Sequence, residues 1–478
     1  MNKNPHKWLY ECHCTEIGYD CTKKQSNRTK KSRNCKKNRL TVQKQTQLYK
    51  FKKRVEVDMA NLSLSIKHSR LEPHWQMLIW LLIVQILVAF VGRGLVPLGV
   101  LIGADLSLTK AQIGMFPAGL FLGQAMSSIP AGFLVDRLGS RRLLLALSLC
   151  LGVGFMFSTL FTHFWSMLLF VVIGGLGYGA MHPVSNRGII YWFTQTQRGT
   201  AMGIKQMGVT LGSALSAVIL LPIAASYGWR TAVIGAATLL ILIGVLSFFQ
   251  YRDSDSAPQR NSDQKLSVFY KAMWKMLQNK PLLLVSLSAL GLNGAQMCLN
   301  TYLVLFAYEK MGISLFLSGV LLVISEACGS FGRVAWGVIS DKVFNGERLI
   351  IIIMIVILSA LASSTLALLP AHTPFGVLVP IIAIFGFAVS GFNGIWMNLA
   401  SELVPPEQSG ISSGLSITIG SFGVIAAPPV FGFMVDLNGS YTSGWFFITG
   451  LLCVVFVILL VLFNVNKKKK ERVEERAI

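Results

Sequence analysis

The chain has 478 residues, 53% hydrophobic and only 13% charged, with a mean hydropathy of +0.58. Repeated apolar runs of about 18 residues or more exclude a soluble globule and make it a polytopic membrane protein. Its net charge of +22 does not imply nucleic acid, because residues 1–58 alone carry sixteen Lys and Arg against five acids.

In chain order, residues 1–75 form a basic N-terminal segment without an apolar core of signal-peptide length, expected to be disordered and cytoplasmic. Six spans follow within 76–250: Gln76–Leu101, Ala111–Val135, one from Leu143, Trp165–Trp192, Thr200–Leu221 and Thr231–Phe249. A hydrophilic linker, 251–280, marks the boundary between halves. Within it Val268, Phe269, Ala272, Met273 and Met276 recur at helical spacing, which predicts a short helix lying on the membrane surface. Six more spans fill 281–465: Pro281–Phe306, Leu315–Ile339, Leu349–Leu369, Gly376–Leu399, Ile411–Val435 and Trp445–Val465, before a basic tail, 466–478. Lys and Arg gather in the turns after spans 2, 4, 6 and 8 and in the tail, whereas the opposite turns carry Lys110, Arg230 and Lys310. This distribution predicts both termini in the cytoplasm.

Between spans 2 and 3 stands GFLVDRLGSRR, with Gly132, Asp136, Arg137, Gly139, Arg141 and Arg142, read as a tight cytoplasmic turn. The segment GVISDK repeats it 205 residues later with Gly337, Asp341 and Lys342. At an offset of 211, Gln197, Gly199, Gly203, Gly212 and Gly228 match Gln408, Gly410, Gly414, Gly423 and Gly439. Such an internal repeat is how secondary transporters form alternating-access sites. Gly132 and Gly203 are expected to allow close helix packing, and Asp136 to face a helix N-terminus or arginines of the adjoining bundle.

The repeated loop resembles the signature of the major facilitator superfamily, which implies an all-α membrane protein of twelve helices in two pseudo-symmetric six-helix bundles. The resemblance also implies that Asp136, Arg137 and Arg141 close the cytoplasmic side of the outward-facing state, with Asp341 and Lys342 as a weaker second copy. Met59 opens MANLSLSIKHSRLEPHW, which is similar to the short N-terminus usual in that superfamily and is the expected start of translation. The run RGTAMGIKQMGVTLGSAL resembles its organic-anion symporters. Ser213 and Ala214 follow Gly212, so the Gly-Pro of its drug antiporters is absent.

Charges inside spans are the sharpest signals, since one at the bilayer centre costs about 2.5–3.5 kcal/mol on the mildest scale. Arg93, Lys205, Glu326 and Arg333 qualify. Arg333 precedes Asp341 by eight residues and so lies about 12 Å inside the cytoplasmic boundary, and Arg93 lies comparably deep. By resemblance both arginines are substrate-binding residues; Lys205 is a third substrate-binding candidate, shallower in its span, with snorkelling toward the cytoplasm as its alternative. Glu326 is the acid near mid-span and the candidate proton site, about 10 Å along its helix from Arg333, too far for direct contact. In one scheme an anion on Arg333 weakens its pull on Glu326, which takes a proton; in the other, Glu326 balances Arg93 or Arg333 structurally.

Three interior cations against one acid predict a transporter for a small organic anion, a carboxylate, by proton-coupled symport. An efflux antiporter for hydrophobic or cationic compounds and a non-transporting membrane sensor remain as alternatives. No phosphate-cradling loop or nucleophile elbow supports an enzyme, and the cysteines indicate neither disulfides nor a metal site. The expected partners are an anionic substrate, a proton and the lipid of the cell membrane, with no cofactor and a monomeric chain.

Overall fold

The computed structural model describes residues 72–194, 197–253, 276–404 and 409–475, and every regular element among them is helical. The N-terminal segment, the Met59 start and nearly all of the expected surface helix lie outside the described residues. Span 1 is α1 (Pro73–Gly92) and α2 (Leu95–Leu106). The break has a sequence cause: Pro97 has no N–H for the Arg93 carbonyl, which instead accepts from Val96 N at 3.1 Å. Arg93 therefore sits at an interruption, not within a continuous helix.

Spans 2 and 3 run together as α3 (Lys110–Ser158), opened by a capping box of Thr109 and Gln112. The expected turn at Gly132–Arg142 is thus helical on both sides of one residue, Gly139, at φ +80° and ψ 165°. A side chain there would be strained, and its Cβ would lie 2.4 Å from Asp253 Oδ2. Asp253 occupies that space because it caps the restarted helix, accepting from Ser140 N at 2.8 Å and from Arg141 N.

The first half continues with α4 (Phe164–Trp192), then α5 (Arg198–Leu215), joined by one π turn, Ser216–Leu220, to α6 (Leu221–Tyr227), and ends with α7 (Trp229–Gln250). The second half comprises α8 (Lys280–Glu309), α9 (Leu315–Val343), α10 (Arg348–Leu368), α11 (Phe375–Val389) with α12 (Asn393–Glu402) as a broken span 10, α13 (Ser409–Asn438) and α14 (Tyr441–Glu475). Eleven described segments are long and apolar enough to cross a membrane. With 49 residues and a break at Gly139, α3 holds two of the spans, so the described residues contain twelve. Leu169, Leu242, Leu361, Val454 and Val457 stay exposed, the outward apolar surface expected of helices that face lipid.

Candidate functional site

The two halves meet tightly at the Lys110 end. Asp436 of α13 accepts from the free N–H groups of Lys110 (2.9 Å) and Ala111 (2.8 Å), so a carboxylate of one half caps a helix of the other. Lys110 Nζ pairs with Glu309 Oε1 at 2.7 Å, and Tyr441 donates to Glu309 Oε2 at 2.7 Å. The Tyr302 hydroxyl, with one proton, lies 2.8 Å from the Lys110 carbonyl and 2.7 Å from that of Pro428. At the Asp136 end the halves stand apart. A Cβ added at Gly132, Gly203, Gly337 or Gly414 would meet no atom within 4 Å. The close packing expected at Gly132 and Gly203 is therefore not present in this conformation.

Between these ends lies a cavity of about 930 Å³ lined by both halves, including Arg93, Tyr178 and Asn186 from the first and Asn300, Arg333 and Trp396 from the second. Arg93 Nη1 lies 3.7 Å from Glu326 Oε1, and its Nε donates to the Tyr178 hydroxyl at 3.3 Å. Glu326 is 1% exposed, and its Oε1 also accepts from Ser213 (3.1 Å) and Asn300 (2.9 Å), while Oε2 has no hydrogen-bond partner. Arg93 and Ser213 belong to the first half, Glu326 and Asn300 to the second, so this carboxylate ties the halves together. The cation in contact with Glu326 is Arg93; Arg333 makes no such contact and acts on Glu326 only from farther away.

Arg333 lines the cavity with its Nε on the Ser390 carbonyl at 3.2 Å and no carboxylate within salt-bridge reach among the described residues. Lys205 does not snorkel. It is 2% exposed, and its ammonium donates to Asn186 Oδ1 at 3.1 Å and approaches His182 Nδ1 at 3.5 Å, a contact that requires the Nε2–H tautomer. Its helix α5 packs on α1 through Gly208 and Gly212, while the Lys205 ammonium reaches α4.

At the repeated loop, the two motif acids pair inside their own halves. Asp136 faces Arg187 of α4 at 3.6 Å, and Arg187 also donates to the Val135 carbonyl. Asp341 faces Arg348 at 3.5 Å, which also binds Glu402 at 2.5 Å. Arg141 donates to the Phe248 carbonyl and lies 4.4 Å over its ring, while Arg142 and Lys342 are exposed.

The sequence profile described as Major Facilitator Superfamily matches residues 81–428 and 346–477. The chain belongs to that superfamily. A hexuronate transporter of Bacillus subtilis is 24% identical over 377 residues, 75% of this chain and 87% of that one. A probable sulfoacetate transporter of Cupriavidus necator is 26% identical over 385 residues, 76% and 87% of the two chains. A bacterial homologue of the human lysosomal transporter Spinster, solved in an inward-facing and occupied conformation, superposes with a TM-score of 0.69 at 18% identity, covering 82% of this chain and 98% of that one, which shows the shared fold.

Sequence reasoning missed the contacts that join the halves at the Lys110 end. Asp436 and Glu309 lie at span ends, where acids are unremarkable. The available signal was Lys110, a cation on the side poor in cations. The cap from Asp253 and the pairing of Arg187 with Asp136 were missed likewise, as each reaches the repeated loop from a distant part of the chain, and so was Arg348, only seven residues beyond Asp341.

Proposed function

We propose that this chain is a secondary active transporter that moves a small organic anion, a carboxylate, by proton-coupled symport with alternating access. The observation that carries the reading is Arg333, a guanidinium in the central cavity whose described contact is a neutral carbonyl. Burying a cation without a counter-charge is costly, and a carboxylate arriving in two-point geometry offsets that cost. The names of the hexuronate and sulfoacetate relatives agree with such a cargo.

In this reading the Asp136 end faces the cytoplasm of a cell-membrane protein, so the cavity is open inward and the Lys110 end is the closed outer gate. Proton uptake on the unpartnered Oε2 of Glu326 converts the carboxylate to the acid and cancels its attraction for Arg93. The halves then lose a charged tie and Arg93 gains freedom to hold cargo. Gly132, Gly203, Gly337 and Gly414 are spare surface for the opposite closure, in which Asp136, Arg137, Arg141, Asp341 and Lys342 meet across the halves. The test is uptake of radiolabelled glucuronate and sulfoacetate into proteoliposomes with an inward-directed proton gradient. Gradient-driven accumulation of either that Arg333→Ala abolishes supports the reading, and accumulation of neither overturns it.

A further inference from the structure

Of the three cations around the cavity, one is answered within the protein: Arg93 has Glu326 at 3.7 Å. The other two are not, and they stand in opposite halves. Arg333 on α9 leans on α11 through the Ser390 carbonyl. Lys205 on α5 lies behind Asn186 and His182 of α4, both of which line the cavity. An ammonium has three N–H donors, and the two described acceptors leave one unused. Both acceptors are neutral, and no carboxylate comes within salt-bridge reach among the described residues. A lysine kept 2% exposed in this way is a charge awaiting a partner, because a structural lysine is normally paired or allowed to reach water.

We propose that the cargo is a dianion carrying two separate anionic groups, one received by Arg333 in the second half and the other at the Asn186–His182–Lys205 cluster in the first. The inference rests on the organic-anion reading and narrows it. The cavity is left with two uncompensated positive charges while Glu326 is ionised and three once it takes a proton, so in either state a dicarboxylate or sulfocarboxylate neutralises one more of them than a monocarboxylate does. Because one charge stands on each wall, a cargo with both groups also draws the open end together. A single-group anion satisfies one wall and leaves the other positive.

The test uses matched pairs on purified full-length protein by calorimetry: D-glucarate against D-glucuronate, sulfoacetate against acetate, with inorganic phosphate as a compact dianion. The expected result is at least about tenfold tighter binding of the two-group member of one pair, with phosphate weak. Lys205→Met reduces that ratio to within about twofold of one, and Lys205→Arg retains most of it. Equal affinity within both pairs, phosphate binding as tight as the best dianion, or an unchanged ratio in folded Lys205→Met overturns the proposal while leaving the organic-anion reading intact. Failure of all four organic anions to bind overturns that reading as well. Lys205→Met keeps the volume of the site and removes a buried charge, so loss of fold is not expected.

Discussion

Gly114→Ala places a methyl group at the seam between the halves. Its Cβ would lie 2.3 Å from the Tyr302 hydroxyl, 2.5 Å from the Pro428 carbonyl oxygen and 2.7 Å from the Pro428 carbonyl carbon. Ordinary contact begins near 3.4 Å, so α3 and α13 must part by about 0.9 Å, the difference between 3.4 and 2.5 Å. The Tyr302 hydroxyl is the end of a side chain, but the two Pro428 atoms are backbone and cannot rotate away. The same displacement stretches the caps from Asp436 to Lys110 and Ala111, now 2.9 and 2.8 Å long. Overpacking of this kind costs about 1–3 kcal/mol, and it falls only on the state closed at the Lys110 end. The ratio of open to closed at that end therefore rises about 5- to 150-fold. Electron paramagnetic resonance distances between spin labels at Ser107 and Asn438 report it, and a longer-distance population should grow in the variant. An unchanged distance distribution in a folded Gly114→Ala protein would refute the idea that this seam sets the closed state.

Arg333→Lys should weaken carboxylate binding about tenfold or more by calorimetry despite conserving charge, because a point charge cannot replace a two-point fork. Glu326→Gln should abolish accumulation driven by a pH difference while sparing substrate exchange; continued pH-driven accumulation excludes Glu326 as the proton site. Asp253→Ala removes the cap after Gly139 at a cost of about 0.5–2 kcal/mol, and the thermal midpoint in detergent should fall by a few degrees. Reporter fusions after Arg142 and at the C-terminus should both read cytoplasm, and one opposite result breaks the proposed orientation.

The fold was legible because a bilayer forces long apolar runs and leaves little choice of element. Every expected span is helical apart from breaks in spans 1 and 10, and the last helix runs on past Val465 to Glu475; the repeat of Gly132, Asp136 and Arg137 in Gly337, Asp341 and Lys342 pointed to paired halves. Local exceptions to that rule were harder to see. Pro97 interrupts span 1 at Arg93, although Pro117, Pro130 and Pro183 stay inside helices. A proline therefore marks where a hydrogen bond is lost but does not fix whether the neighbours absorb it. The separation of the halves was also beyond the sequence, since the free space at Gly132 and Gly203 depends on how far apart the two bundles stand at that end.

The site was legible to the extent that its groups are charged. A charge within a span is too costly to keep without a reason, so Arg93, Lys205, Glu326 and Arg333 stood out singly, and all four lie in or directly behind the cavity wall. Their pairing did not stand out, because it depends on neutral groups that cost little to hide. Ser213 and Asn300 orient the Glu326 carboxylate toward Arg93, Tyr178 holds the Arg93 Nε, and Asn186 with His182 turns Lys205 inward. Serine, asparagine and tyrosine occur throughout membrane helices, often bonded to their own backbone, as Ser148 is to the Leu144 carbonyl. Nothing in the sequence separates such a residue from one that reaches across to a carboxylate. The charge count survives from sequence to structure, and in this structure its assignment rests on the uncharged residues.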